Sequence, residues 1–311
     1  MPNAPRSRTP RVPVGALFPP APGAGLPGDP GPCPGPQFRR VTGERVTVLG
    51  GPAAILLQIA HPLVAEGVAV HSRYADGPAR RLVGTLQAAL TVTFGDTEQA
   101  RAAARHVGRA HAPVRGTTRT GVPGTPAGTP YRGNDPDLAL WVHATLVWTA
   151  RRVTERYAGL RLSPAERERH WQESKPFARV FAVPERVLPG TVAEFDEYVR
   201  DTVRGLVVTD DARRIARDIL TQRTTPPLPG AAATARTVTA DLLPPALADA
   251  YGIPRTPARR AAARALRTTT TAVRPVLPQR LALWPHALVA QRRTTPAAGT
   301  VRPPETGRPV A

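Results

Sequence analysis

Cysteine, lysine and aromatic residues are all scarce in this chain, and each scarcity removes a class of function. Cys33 is the sole cysteine, so a disulfide framework and a thiolate metal cluster are both excluded. Lys175 is the only lysine among 42 Lys and Arg residues, in a chain of 311 residues with a formal charge of +19. Such an arginine excess, set in an Ala-, Pro-, Thr- and Val-rich background, reads as GC-rich coding bias. The arginines are spread along the chain instead of being gathered on one element. Aromatic residues make up 5%, which leaves few rings to stack on bases, so the charge does not point to nucleic acid. No HExxH pair, no Gly-rich loop after a strand and no Gly-x-Ser-x-Gly occurs, so zinc protease, nucleotide-cofactor and serine hydrolase chemistry lack support. Period-two alternation is also missing over any useful length, and with it the prospect of a sheet.

What the chain does contain is one strongly apolar run, GGPAAILLQIAHPLVAEGVAVHS, from Gly50 to Ser72. It carries Gln58, His61, Glu66 and His71 where a purely structural helix pair would have Leu or Ala. Pro62 interrupts the run, and too many polar groups lie within the ~20 residues that a membrane span requires. Proline disfavours helical geometry just before it and starts a helix well, so the run is expected to form two buried helices meeting at His61-Pro62.

A helix follows over about Ala79–Phe94, with Leu82, Thr85, Leu86, Ala89 and Thr93 as its inner stripe and Arg81 at the border. The next begins after Gly95, capped by Asp96 or Thr97. Its inner face is Ala100, Ala103, Ala104, Val107, Ala110 and His111. A face of alanines lets another helix or a flat cofactor approach closely. Residues 116–134 form a Gly/Thr/Pro loop, longer than most connections in a compact domain and therefore functional or mobile. Asp135-Pro136 then opens a helix that is apolar on nearly every side around Trp141, His143 and Trp148. Two capping boxes follow, Ser163 to Glu166 and Thr191 to Glu194, and Asp210 or Asp211 starts a further helix. The expected fold is all-α, a single multi-helix domain over residues 37–290. Pro/Arg-rich tails, expected to be disordered, flank it at 1–36 and 291–311. Cys33 falls in the first tail. No apolar h-region or small-residue cleavage site is recognised there, so a cytoplasmic location without stable membrane association is expected.

Five of the seven histidines lie between positions 61 and 143. His61 either caps a helix end or lines a site. His143, alone on a buried helix, is either a hydrogen-bonded core histidine or a ligand contact. His111 is the only polar member of an alanine face. Buried histidines on helices beside an arginine are how a helical protein holds a haem. Arg81 and Thr85 are either a snorkelling cation and a helix-facing hydroxyl, or a pair that neutralises and hydrogen-bonds a buried anion.

Several segments together resemble the oxygenase family that includes the fungal mpaB-type enzymes and the catalytic domain of bacterial latex-clearing (rubber) oxygenases. They are the apolar run itself, RLVGT at Arg81–Thr85, HAPVRG from His111, YRGNDPDLALWVHATL from Tyr131, LSPAERERHW, and the segment from Val183 to Thr191. The resemblance implies a globin-like helical core and, in the latex-clearing branch, a b-type haem and O2-dependent chemistry. It implies an iron-ligating histidine at His111, with His61 and His143 as the alternatives. Arg81 and Thr85 fall on the distal side, with His143, Gln58 and His61 lining the pocket. Where that branch has lysine in Arg-x-x-Lys-Thr, this chain has Gly84, so a distal lysine is missing. The expected function is a haem-dependent oxygenase acting with O2 on a small organic substrate, its electron donor unspecified. The alternatives are a non-catalytic haem or small-molecule binder and a haem-free divergent member.

Overall fold

Helix starts in this protein are set by local chemistry: most α-helices among the described residues begin at a proline, and those starting at Pro136, Pro164 and Pro257 add a capping side chain just before it. The computed structural model describes residues 12–13, 18–71, 78–221, 224–225 and 229–295, with 12–13, 78–82 and 224–225 described as backbone alone. The first half comprises α1 (Pro36–Thr42), α2 (Gly51–Ile59), α3 (Pro62–His71), α4 (Pro78–Phe94), α5 (Thr97–His111), α6 (Pro136–Tyr157) and α7 (Pro164–Val180). The second half comprises α8 (Val192–Gly205), α9 (Asp210–Leu220), α10 (Ala231–Leu242), α11 (Pro245–Ala250), α12 (Pro257–Val273), α13 (Gln279–Ala282) and α14 (Pro285–Thr294). The fold is all-α, and its β-structure among the described residues is two short strand pairs and the isolated bridges Glu44–Leu283 and Val122–Thr125.

The long helix α6 is the axis. Asp135 caps it, accepting from the backbone N–H groups of Asp137 and Leu138, with Pro136 in the first turn. α2 and the 3-10 turn before it, together with α1, α7, α8, α10 and α12, pack around α6. Its buried residues run from Leu140 to Tyr157. Large rings fill the interior, and the three buried indoles, of Trp141, Trp171 and Trp284, each find an acceptor for the N–H. Trp141 donates to Leu57 O at 3.3 Å, and Trp171 donates to Pro189 O at 3.0 Å. Trp171 also stacks on Phe195 with centroids 4.3 Å apart; such a pair adds about 0.5–1.5 kcal/mol beyond the area it buries.

The break at His61-Pro62 is sharp. The helical stretch Arg45–Ile59 and α3 bend by 101° to one another, and no single helix among the described residues is long and apolar enough to cross a membrane. Asp96, not Thr97, caps α5 and forms a full capping box with Gln99. The box at Ser163 is also complete, whereas Glu194 bonds the N–H of Gly190 and leaves that at Thr191 half formed. Thr209 caps α9, one residue before the expected start.

The 116–134 connection is ordered. Arg115–Thr117 pairs antiparallel with Pro130–Arg132, and Thr118 bonds Thr129 and Pro126 inside the loop.

The N-terminal stretch differs from expectation. Residues 18–35 are not a loose tail: Cys33 is fully buried, and its thiol pKa is pushed up to about 12 by desolvation. The segment is tied down by partners distant in sequence. Leu26 N–H donates to Asp96 Oδ2 at 2.7 Å, Gly28 N–H to Arg293 O at 2.9 Å, and the Asp29 carboxylate accepts from Thr97. α14 likewise continues to Thr294, beyond the expected domain edge at 290, because Arg293 reaches back to Asp29 O and Phe94 O.

Candidate functional site at the far end of the α4–α5 hairpin

α4 and α5 are joined by Gly95-Asp96 alone and pack against each other, so they turn back as a hairpin. Arg81 and His111 lie at similar distances from that turn and therefore share its far end. The hairpin is well covered near the turn, where Leu90, Val92, Phe94 and Ala100 are buried. It opens away from it: Ala103, Ala104 and Val107 are half-buried, and Gly84, Thr85, Ala110 and His111 are exposed. A Cβ placed on Gly84 or Gly108 would meet nothing within 4 Å. The sequence periodicity placed Thr93 and Ala100 on the inward face, and both are buried, but it missed Leu90, Val92 and Phe94 and could not show that cover runs out away from the turn. The Arg81 side chain lies outside the described residues.

The His111 end is held from behind. Val114 N–H bonds His111 O at 3.0 Å, and Gly133 N–H bonds Val114 O at 2.7 Å. Gly133 must be glycine, since a Cβ there would come within 2.8 Å of His111 O. α3 closes the other side, with Gly67 packed near Val114 and the Tyr131 ring. His71 Nε2 lies 3.2 Å from Tyr131 Oη, the two rings edge to face. Burial, and then the Glu66 charge, raise the Tyr131 phenol pKa.

Gln58 and His61 sit at the α2–α3 junction. Gln58 Nε2 donates to Thr145 Oγ1 at 2.9 Å. His61 Nδ1 is buried without a hydrogen-bond partner. Desolvation holds its pKa below the ordinary imidazole value, although the Asp135 carboxylate opposes the shift. His143 is placed elsewhere on α6. Its ring stacks on Phe177 at 5.6 Å and its Nε2 lies 3.4 Å from Ser174 Oγ, both on α7. The structure thus brings His111 and Thr85 to one end of the hairpin, puts α3 beside it, and sets the His143 ring against α7.

The sequence flagged Glu66 but not its partners. Arg119, from the 116–134 loop, donates through Nε to Glu66 Oε1 at 2.6 Å and through Nη2 to Asp211 Oδ2 at 2.6 Å. A carboxylate in an apolar helix demands a cation, and the long neighbouring loop with Arg115, Arg119 and Arg132 was the place to look. The Glu66 side chain is 11% exposed and that of Arg119 59%. Removing either partner is therefore not equivalent. Arg119→Ala strands a nearly buried carboxylate and is expected to cost about 1–2 kcal/mol; Glu66→Gln, which frees an exposed guanidinium, costs less. Urea denaturation orders the two variants, and amide exchange in residues 116–134 rises in both. Unchanged exchange in both variants would mean the network does not pin the loop to α3.

No curated protein matches this chain, and no solved structure does. Residues 39–274, more than half of it, match the family model described as "ER-bound oxygenase mpaB/B'/Rubber oxygenase, catalytic domain". The match spans α2 to α12, and so includes the hairpin, the apolar helix pair and the loop that Arg119 anchors. The chain belongs to this mpaB/rubber oxygenase family, and its helical domain is an oxygenase catalytic domain.

Proposed function

We propose that this protein is a haem-dependent oxygenase acting with O2 on a small organic substrate, and that the haem lies at the far end of the α4–α5 hairpin. One observation carries the reading. An exposed imidazole, His111, ends a helix whose adjacent residues are Gly108 and Ala110, and the facing helix offers Gly84 and Thr85 with open space beside the glycine. A flat macrocycle needs such small-residue walls and one nitrogen donor from the protein, and these residues would supply both. Among the described residues no group of three or more His, Cys, Asp and Glu side chains is arranged to hold a metal ion; a porphyrin supplies most of the iron's ligands itself.

In this reading His111 holds the iron, and Gln58 and His61 form the wall at the α2–α3 junction. Haem would supply the binding and activation of O2. The protein's own part is orientation and exclusion of water. Arg81 and Thr85, on the opposite helix, would donate hydrogen bonds to an oxygen of the substrate and fix its pose. Gly84 leaves that side without a lysine, so substrate has access there. His61, with its pKa depressed, stays neutral at physiological pH and contributes a polar but uncharged ring edge.

The test is spectroscopic. Purified protein supplemented with haem should retain a Soret band after desalting. His111→Ala should lose it with an unchanged far-UV circular dichroism spectrum, while His61→Ala keeps it. Oxygen uptake by the reduced protein in the presence of an alkene or aromatic substrate then separates an oxygenase from a reversible carrier. A colourless wild-type protein would overturn the haem reading, and a Soret band that survives His111→Ala would overturn the ligand.

A further inference from the structure

We propose that the groove between α10 and α12 is a binding site for a small organic phosphate, with arginines taking the phosphate and alanine walls taking the organic body. It is built from elements other than the α4–α5 hairpin and does not rest on the oxygenase reading. The groove has a volume of about 390 Å³, within the size range of small-molecule sites. Ala232 and Ala233 line it from α10, and Ala258 and Ala262 from α12. Arg236 and Arg259 stand at its edges, and it continues into a narrow cleft over Asp241, flanked by Arg255 and Arg260.

The groove gathers positive charge. The Asp241 side chain, 4% exposed, accepts from Arg156 Nη1 at 3.2 Å, Arg267 Nη2 at 3.3 Å and Tyr157 Oη at 3.0 Å, with Arg255 Nη2 at 3.7 Å. One carboxylate thus faces three guanidiniums. Arg236, Arg259 and Arg260 add three more charges beside them and have no acidic partner among the described residues. Arg259 and Arg260 bond only the carbonyls of Pro254 and Arg255. Clustered like charges repel one another unless an anion enters.

Arg236 also leaves a donor unused. Arg236 Nε is buried and has no hydrogen-bond partner. A buried polar atom left unpaired is uncommon in a folded protein and calls for a specific reason. A turn of the Arg236 side chain, which lines the groove, would bring that donor to a phosphate oxygen, and the forked guanidinium suits phosphate geometry. The four methyl-lined positions explain why the site would take an organic phosphate in preference to the bare ion.

Isothermal titration of the full chain in a phosphate-free buffer of moderate salt tests this, with 1-naphthyl phosphate and inorganic phosphate as probes. Saturable one-to-one binding of the naphthyl compound is expected, about tenfold or more tighter than that of inorganic phosphate. Arg236→Ala/Arg259→Ala should weaken it by about tenfold or more, since both charge-assisted contacts go. Ala258→Glu, at an exposed wall position, should abolish binding while leaving the unfolding curve intact. Arg169→Ala/Arg200→Ala, which removes two exposed arginines from other helices, should change nothing. The proposal is overturned if naphthyl phosphate does not saturate or binds no tighter than phosphate. It is equally overturned if the Arg169/Arg200 pair weakens binding as much as the groove pair, because diffuse charge would then account for the signal.

Discussion

Stability should fall steeply as the pH is lowered from about 6.5 toward 4.5, a fall that begins well above the range in which ordinary carboxylates are protonated. Two imidazoles are responsible. His143 and His170 are 2% and 1% exposed, and burial lowers both pKa values to about 3. For His170 the positive charges of Arg151 and His143 add to desolvation. Each ring also has a nitrogen that finds no partner, Nδ1 in His143 and Nε2 in His170, so no local acceptor waits to stabilise an imidazolium. The unfolded chain takes up protons below about pH 6.5, whereas the folded chain refuses them until about pH 3. More protons are then bound in the unfolded state, and stability rises with pH throughout that window. Each ring contributes a slope of up to about 1.4 kcal/mol per pH unit, so at pH 4.5 the two together cost roughly 5 kcal/mol. That matches the whole stability of many domains, which runs from about 5 to 15 kcal/mol. His286, lowered by burial to about 4, acts in the same sense. Chemical denaturation between pH 7.5 and 4.5 should show this slope, and His143→Leu/His170→Leu should flatten it by more than half. A slope unchanged in the double variant would assign acid sensitivity to carboxylates instead.

His143 also shows what the sequence could and could not convey. A lone histidine on an apolar helix was readable as either a core residue or a ligand, and nothing local chooses between them. The surroundings of His143 come from α7, which presents Ser174 and Phe177 to it and lies about thirty positions away. Caps behaved differently. Asp96, Asp135 and Ser163 bond amides two or three residues ahead, so the interaction is contained in the string of residues that predicts it. The His61-Pro62 break is local in the same way. The α5 face was half legible: the repeat of alanines gives the side that faces inward, whereas the point at which cover ends depends on the neighbouring elements. Glu66 was visible as an anomaly and Arg119 was not, because their pairing joins positions with no shared periodicity. The family match adds the reaction class; the residues that carry it remain the subject of the spectroscopic test.

The N-terminal segment is the sharpest case of structure without a sequence pattern, and it yields the second large expected effect. Gly31 adopts φ +72°, and a Cβ there would lie 2.1 Å from Gly95 O. That oxygen belongs to the backbone at the α4–α5 turn and cannot swing aside as a side-chain tip would. Gly31→Ala therefore combines left-handed strain of about 1–2 kcal/mol with a backbone collision. The chain has two ways to respond. Either the α4–α5 turn shifts, loosening the cap that Asp96 makes, or residues 18–35 peel away and release their ties to Asp96, Thr97 and Arg293, leaving Cys33 in water. Both forfeit several hydrogen bonds at once, and a loss of about 3 kcal/mol is expected. Gly28→Ala is the internal control. Its φ is +81° but a Cβ there would meet nothing within 4 Å, so only the strain of about 1 kcal/mol applies. Urea denaturation gives the two losses, and labelling of Cys33 by a thiol reagent distinguishes the responses, since peeling exposes the sulfur while a shifted turn does not. Were Gly31→Ala no worse than Gly28→Ala, with Cys33 equally protected in both, the strap would be an onlooker, and the composition-based picture of a loose tail would describe the molecule better.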